Sequence, residues 1–300
     1  MKKVIVIAGP TASGKSDFAI EVAKRVSGEI ISGDSIQVYR GLDIGSGKIK
    51  EEEKEGIPHY LLDILDPSEN YSVADFQKHA RSIIDNSDKM MIICGGTGLY
   101  LKSCFYDYEF LDEDGEYVDA EFEQYTNEEL YRMLLESDPK QAEKIHQNNR
   151  RRLLRTLTIQ RRSGKPQSEL IDEQKHELIY DAYIIGCTMP RDILYKRIND
   201  RVDRMFIEGL EEEVKGLLDK GYTFKDPGLQ GIGYKEWQAY FNNEMSKEEV
   251  KEEIQKHSRQ FAKRQYTWLN HQMEVKWMDV TNKEEIDKML EEVEKWGKEK

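Results

Sequence analysis

The sequence predicts an α/β protein: a parallel sheet flanked by helices, interrupted by a mainly helical insertion. Three observations predict it. A buried-strand pattern, KVIVIA at residues 3–8, runs directly into a glycine-rich turn and then a helical periodicity. Short apolar runs then alternate with helical segments, the mark of a parallel sheet. The alternation stops near residue 107 and resumes at 181, with only charged helical pattern between.

In chain order, residues 15–27 read as a helix with Phe18, Ile20, Val22, Ala23 and Val26 on its inner side. Strands follow at 29–33, 58–65 and 90–94, with helices at 72–86 and from Thr97 to about Phe105. After the insertion, DAYIIGCTM (181–189) reads as a buried strand and residues 191 to about 205 as a helix. Further helices are expected at 207–219, 235–241, 246–270 and 283–297, with EVKWMDV (274–280) as a final edge strand. The expected division is a core of 1–106 and 180–300, and a helical insertion of 107–179.

Bulk composition narrows the class. Apolar residues make up 38% and charged residues 34% of 300, but the apolar segments are periodic, so the chain is read as folded. No run approaches the roughly 20 apolar residues of a membrane span. The apolar start is too brief for a secretion signal and enters a phosphate loop, so it is read as a first strand of a cytoplasmic protein. Three cysteines (Cys94, Cys104, Cys187) have no metal spacing, which suits a reducing compartment. The net charge of −13 argues against a polyanionic partner. It hides Arg150, Arg151, Arg152, Arg155, Arg161, Arg162 and Lys165 in one stretch and Arg259, Lys263 and Arg264 in another. Acid gathers elsewhere, at 51–55, 112–129 and 284–294.

Gly9-Pro10-Thr11-Ala12-Ser13-Gly14-Lys15-Ser16 matches G-x-x-x-x-G-K-[ST] in the strand–loop–helix context that motif needs. The glycines let successive backbone N–H groups face one anion, and the helix N-terminus adds a favourable dipole. Lys15 supplies a point charge, and Ser16 can reach a Mg²⁺ ion. The core is therefore expected to be P-loop NTPase-like. The motif does not choose the diphosphate. A hydrolysing ATPase carries a metal-binding acid after an apolar strand; here the best such strand, 90–94, ends in Gly95-Gly96.

In an open parallel sheet, ligands sit beyond the carboxyl ends of the strands. The phosphate loop, Asp34 after the second strand and Gly95-Gly96-Thr97-Gly98 after the fourth should therefore share one crevice. Asp34-Ser35-Ile36-Gln37-Val38-Tyr39 offers it a carboxylate, a hydroxyl, an amide and a phenol. A carboxylate there can take a proton from an amine becoming a nucleophile, or can simply cap a turn. An amide such as Gln37 can bond an adenine edge or be ordinary surface polarity.

Taken together these blocks resemble one family, the tRNA dimethylallyltransferases (tRNA isopentenyltransferases). The matching stretches are GPTASGKS (9–16), DSIQVYRGLDIGSGK (34–48), PHYLLDILDP (58–67), YSVADF (71–76), GGTGLYLK (95–102), DPKQAEKIHQNNRRRLLRTL (138–157), SGKP (163–166), MPRDILYKRINDRVDRM (189–205), GLEEEVKGLL (209–218), QGIGYKE (230–236) and RQFAKRQYTWL (259–269). The resemblance implies a phosphate loop, Gly9 to Ser16, that cradles dimethylallyl diphosphate. Thr11, Lys15 and Ser16 would contact it, with Mg²⁺ beside Ser16 and Arg201 on the diphosphate. Asp34 would be the base on N6 of the adenosine immediately 3′ of the anticodon.

The same resemblance implies tRNA contacts at Asp34, Ser35, Ile36 and Gln37, at Thr97, and at Arg151, Arg152, Leu153, Leu154 and Arg155 of the insertion. It extends them to Gln230, Gly231, Ile232, Gly233, Tyr234 and Lys235, and to Lys263, Arg264, Gln265 and Trp268. The implied enzyme is a monomeric prenyltransferase acting on tRNAs that read codons beginning with U. The chain departs from the family at His146-Gln147-Asn148-Asn149, often HPND, at Ser46-Gly47, and at Gln230, where many relatives carry arginine. Two rivals share the phosphate loop: a small-molecule or nucleotide kinase, and a prenyltransferase acting on free AMP or ADP. Neither accounts for the arginine-rich insertion.

Overall fold

A computed structural model describes residues 1–110, 120–175 and 177–299. Residues 111–119, which overlap the acidic stretch 112–129, lie outside the described residues. The elements in chain order are β1 (Lys3–Ala8), α1 (Lys15–Val26), β2 (Glu29–Ser32), β3 (His59–Tyr60), α2 (Val73–Asn86), β4 (Met91–Gly95), α3 (Gly98–Phe105), α4 (Ala120–Glu123), α5 (Asn127–Ser137), α6 (Pro139–Ala142), α7 (Arg150–Ser163), α8 (Gln167–Asp172), β5 (Asp181–Thr188), α9 (Arg191–Glu208), α10 (Leu210–Asp219), α11 (Trp237–Phe241), α12 (Lys247–Gln272), β6 (Lys276–Asp279) and α13 (Lys283–Lys298). They form two compact units, Met1–Phe105 with Ile179–Lys300, and Tyr106–Leu178.

The first unit carries a six-stranded sheet in the order β3-β2-β4-β1-β5-β6, parallel at every pairing. β1 lies between β4 and β5, with Ile5 opposite Ile92 on one side and Tyr183 on the other. Val4 to Ala8 are fully buried, as expected of a parallel strand covered on both faces. One core joins Phe18, Ile20 and Val22 of α1 to Met289, Leu290 and Val293 of α13 and to Ile5, Ile7 and Ile92.

A second core lies beneath the crevice. It joins Val38 and Leu42, Val202 and Met205 of α9, Val214 of α10, Tyr234 and Trp237, and Ile254 of α12. Trp237 is fully buried, 5.2 Å from the Phe206 ring and 5.4 Å from Tyr240.

Three expectations differ. The strand expected over 58–65 ends at Tyr60. Its neighbour β2 stops at Ser32, Leu61 and Asp63 turn into the left-handed region (φ 62 and 54), and pairing resumes only as an isolated bridge between Tyr39 and Leu65. The helix expected to end near 205 runs to Glu208, where Gly209 (φ 100) separates it from α10. The helix expected from 235 starts at Trp237, because residues 231–236 form turns.

The second unit is helical, with an isolated antiparallel bridge between Tyr106 and Leu178 at its ends. Leu130 and Leu134 of α5 pack with Ile145 and with Leu153, Leu154 and Leu157 of α7. Asp138, almost fully buried, accepts from Gln141 N (3.2 Å) and Ser168 N (2.8 Å), tying α6 to α8. Arg150 donates to the carbonyls of Tyr125 and Glu123, both at 2.7 Å, and so holds the start of α7.

Trp237 separates packing from hydrogen bonding. Its buried Nε1 has no partner among the described residues. Trp237→Ala is expected to cost about 3–5 kcal/mol. Trp237→Phe, which keeps most of the ring and removes an unpaired donor, is expected to cost less than about 1.5 kcal/mol. Chemical denaturation of both variants checks the contrast.

Candidate active site

The phosphate loop joins β1 to α1 and curls as its residue types require. Gly9 has φ +149, and a Cβ there would lie 2.6 Å from the Cys187 carbonyl. Ala12 and Gly14 take left-handed values of 62 and 78. Alternating backbone conformations of this kind turn successive N–H groups toward one point. Lys15 is half-buried, and its Nζ donates to the Pro10 carbonyl at 2.6 Å. Loss of water pushes its pKa down. Burial holds Cys94 up to about 11 and Cys187 up to about 12, so both thiols stay neutral and leave the lysine charge uncompensated. Ser16, at the start of α1, is exposed.

Arg201 of α9 reaches this loop. Its Nη1 donates to Thr11 Oγ1 and its Nη2 to the Ser46 carbonyl, both at 2.9 Å. Gly47 makes room for it: a Cβ there would lie 1.9 Å from Arg201 Nη2. The loop carrying Ser46 and Gly47 is held by Glu213 of α10. That carboxylate accepts from Asp43 N (3.0 Å), Ile44 N (2.7 Å), Gly45 N (3.1 Å) and the Tyr234 hydroxyl (2.7 Å). Tyr234 in turn accepts from Ser46 N at 3.1 Å, and its ring is close enough to Gly45 to exclude a Cβ there. Sequence reasoning missed Glu213; its one signal was a place in GLEEEVKGLL, a matched stretch to which no role was attached.

Asp34 follows β2 as expected. Its Oδ1 accepts from Ile36 N (2.8 Å) and Gln37 N (3.3 Å), so it does cap the turn. Its Oδ2 has no partner among the described residues, and the side chain lines the cavity described below. Gln37 is engaged at both ends: it accepts from Ser32 Oγ at 3.1 Å and donates to the Gly47 carbonyl at 3.3 Å. Thr97 precedes α3 and faces the same cavity.

Gln265, expected on tRNA, is buried instead. Its Oε1 accepts from Thr11 N and its Nε2 donates to the Gly96 carbonyl, both at 2.9 Å. It therefore clamps the phosphate loop to the loop after β4. Trp268, one turn on, lies against Gly98, where a Cβ would meet its ring at 2.1 Å.

The cavity that these elements enclose measures about 370 Å³. Thr11, Asp34, Ser46, Thr97, Arg201 and Arg264 supply its polar lining, and Ile198, Val202, Met205, Ile254 and Phe261 much of its apolar wall. Ser35, Ile36, Gln230, Gly231, Ile232 and Gly233 also border it. Gln230 is exposed and donates to the Phe224 carbonyl. Tyr234 is fully buried, so its side chain presents nothing to an RNA, whereas Lys235, Lys263 and Arg264 are exposed. The apolar wall was also missed, although Ile198, Val202 and Met205 have helical spacing around Arg201.

In the helical unit, Leu153 and Leu154 face its core and not a partner, because they share the inner side of α7 with Leu157. Arg151, Arg152 and Arg155 are exposed and form no ion pair among the described residues. By contrast, Lys165 pairs with Glu173, and Arg161 with Glu121, each at 2.6 Å.

Residues 37–272 match the model of the IPP transferase family. The chain is 48% identical to a tRNA dimethylallyltransferase of Anoxybacillus flavithermus over 97% of its length and 95% of the relative's. It is 47% identical to a tRNA dimethylallyltransferase of Bacillus cytotoxicus over 98% of its length and 95% of the relative's. Among solved structures, a tRNA isopentenylpyrophosphate transferase of Staphylococcus epidermidis superposes with a TM-score of 0.73 at 41% identity, covering 99% of this chain and 98% of the other. A eukaryotic dimethylallyltransferase acting on tRNA gives 0.81 at 32% identity, covering 93% and 74%. The family match spans more than half of the chain and the identity extends along nearly all of it, so the chain belongs to the tRNA dimethylallyltransferase family, the IPP transferases.

Proposed function

We propose that this protein transfers a dimethylallyl group from dimethylallyl diphosphate to N6 of the adenosine immediately 3′ of the anticodon, releasing diphosphate. The observation that carries the reading is the cavity itself: cationic and N–H donors at one end, an apolar wall beyond them, and a carboxylate oxygen without a protein partner at its edge. A nucleotide kinase has no use for that wall, and family membership does not favour it. The tRNAs modified would be those reading codons beginning with U, and the enzyme would work as a cytoplasmic monomer. No described helix is long and apolar enough to cross a membrane.

As the carbon–oxygen bond to the diphosphate breaks, negative charge grows on the leaving oxygens. The N–H groups of Gly14 to Ser16 at the head of α1, the Lys15 ammonium and the Arg201 guanidinium would lie where that charge develops, which is the arrangement that lowers such a barrier. Asp34 Oδ2 takes the proton that N6 loses as it bonds to the allylic carbon. The base must leave its stack to reach the chamber.

The donor set fits a hard cation only in company with the diphosphate. Among the described residues no group of three or more His, Cys, Asp or Glu side chains converges. The exposed Ser16 hydroxyl at the head of α1 would be the protein ligand, and diphosphate oxygens would complete the shell. A bound Mg²⁺ would supply further neutralisation of the leaving group.

The direct test is transfer of labelled dimethylallyl to an anticodon stem-loop, with free AMP and labelled ATP as controls. Transfer to the stem-loop alone is expected; phosphoryl transfer from ATP, or prenylation of AMP alone, would defeat the reading. Asp34→Asn is expected to lower kcat by about 10²–10⁴-fold, while the KM for the donor stays within a few-fold. An unchanged kcat would remove Asp34 as base.

Gly47→Ala places a methyl group where the Arg201 guanidinium lies, at a backbone φ of +59. It is expected to reduce kcat by about 10²–10³-fold, as loss of one charge-stabilising donor does. Arg201→Ala in the same background should add little, since both changes remove the same contact.

The exposed Arg151, Arg152 and Arg155 would track the phosphates of the anticodon stem. Arg155→Ala is expected to weaken binding of every stem-loop alike and to reduce the log–log salt slope by about 0.7–0.9. Titration of a fluorescent stem-loop at several salt concentrations reads this.

A further inference from the structure

α9 and α12 run antiparallel past each other, and side-chain rungs fix their register. Arg259 Nη1 donates to Asn199 Oδ1 at 2.5 Å, and Gln255 Nε2 to Asp203 Oδ1 at 3.1 Å. α9 leads away from the phosphate loop, and α12 runs toward it. On α9 the fixed point is Arg201 on Thr11; on α12 it is Gln265 on the backbone of the same residue. Met205 lies four residues past Arg201, about 6 Å farther along the axis, and Ile254 lies roughly 16 Å back along α12 from Gln265. Both line the cavity, and both are buried in the core that contains Val250 and Trp237. The chamber therefore has a polar end at Thr11 and Arg201 and a closed apolar end at Met205 and Ile254.

We infer that Met205 and Ile254 form the length stop of the prenyl subsite, restricting the donor to a single isoprene unit. The inference rests on the prenyl-donor reading above. With the diphosphate held at Thr11, Lys15 and Arg201, the hydrocarbon tail runs along Val202 and Phe261 and ends against these two side chains. A ten-carbon allylic diphosphate held by the same cradle would drive its second isoprene unit into them. Behind them the packing is solid, and filled cores yield little to an added group.

The test compares dimethylallyl and geranyl diphosphate as donors to one stem-loop in the wild type, Met205→Ala and Met205→Ala/Ile254→Ala. Together the two truncations remove a bulk comparable with one isoprene unit. The ratio of kcat/KM for geranyl over dimethylallyl is expected to rise at least tenfold in the single variant and further in the double, with a geranylated adenosine identified by mass spectrometry. A ratio of this kind is independent of the fraction of enzyme folded. Should the double variant not fold, Met205→Val reports through competition: the inhibition constant of geranyl diphosphate against dimethylallyl diphosphate is expected to fall several-fold. Unchanged ratios and inhibition constants, with wild type active on dimethylallyl diphosphate, overturn the length stop alone. A wild type that transfers no dimethylallyl group overturns the donor reading, and the length stop with it.

Discussion

A guanidinium cannot shed its charge, so wherever Arg201 is held, acceptors must be held with it. It finds them in Thr11 Oγ1 and the Ser46 carbonyl. Neither acceptor is there by local preference. Ser46 sits in a loop whose N–H groups are gathered by Glu213, and Gly47 must lack a side chain for the guanidinium to lie flat beside it. Thr11 is fixed from the other side by the buried amide of Gln265. The phosphate loop of this protein is therefore one face of a closed set of contacts running α10, loop, α9, phosphate loop, α12.

That closure explains how one crevice serves two opposite chemistries. The helix that carries Arg201 also carries Ile198, Val202 and Met205, one helical step away on the same face. Placing the cation on the diphosphate thus places the apolar row beside the carbon chain, with no further adjustment. The neutral thiols of Cys94 and Cys187 let the charge of Lys15 act on whatever anion the loop holds. An ATP-hydrolysing relative would need a metal-binding acid after β4, and Gly95 and Gly96 stand there because Gly33 and Gln265 pack too closely to admit any side chain.

The sheet was legible because its signals are local: an apolar run, a glycine-rich turn, a helical period. β3 is the exception, since its length depends on where β2 ends. The phosphate loop and the position of Asp34 were legible for the same reason, each being a motif at the end of a strand. Gln265 was misread because its partner is 254 residues away, and nothing in RQFAKRQYTWL separates a buried clamp from an exposed RNA contact. Leu153, Leu154 and Tyr234 were misread within otherwise matching stretches, because a matched stretch does not say which side of a helix or turn is inward. Glu213 was invisible: a glutamate among glutamates at a helix start reads as solvated surface until the three N–H groups it gathers are known.

Net charge was the least informative quantity. A chain of −13 is expected to repel both diphosphate and RNA. Of the acidic groups at the cavity only Asp34 keeps an oxygen without a partner among the described residues, and the carboxylates behind the lining are saturated. Glu213 accepts three backbone N–H groups and a hydroxyl, and Glu236 accepts from Gly233 N at 2.9 Å while facing His257 Nδ1 at 2.7 Å. Carboxylates held this way direct their charge into backbone dipoles and away from the crevice. Lys15 in the phosphate loop and Arg201 and Arg264 at the cavity have no carboxylate within ion-pair distance among the described residues, and the same is true of Arg151, Arg152 and Arg155 on α7. At ordinary ionic strength an exposed charge is screened beyond about 8–10 Å. An incoming phosphate therefore meets its nearest unpaired neighbours: arginines alone on α7, and at the crevice Lys15, Arg201 and Arg264 against the single carboxylate of Asp34.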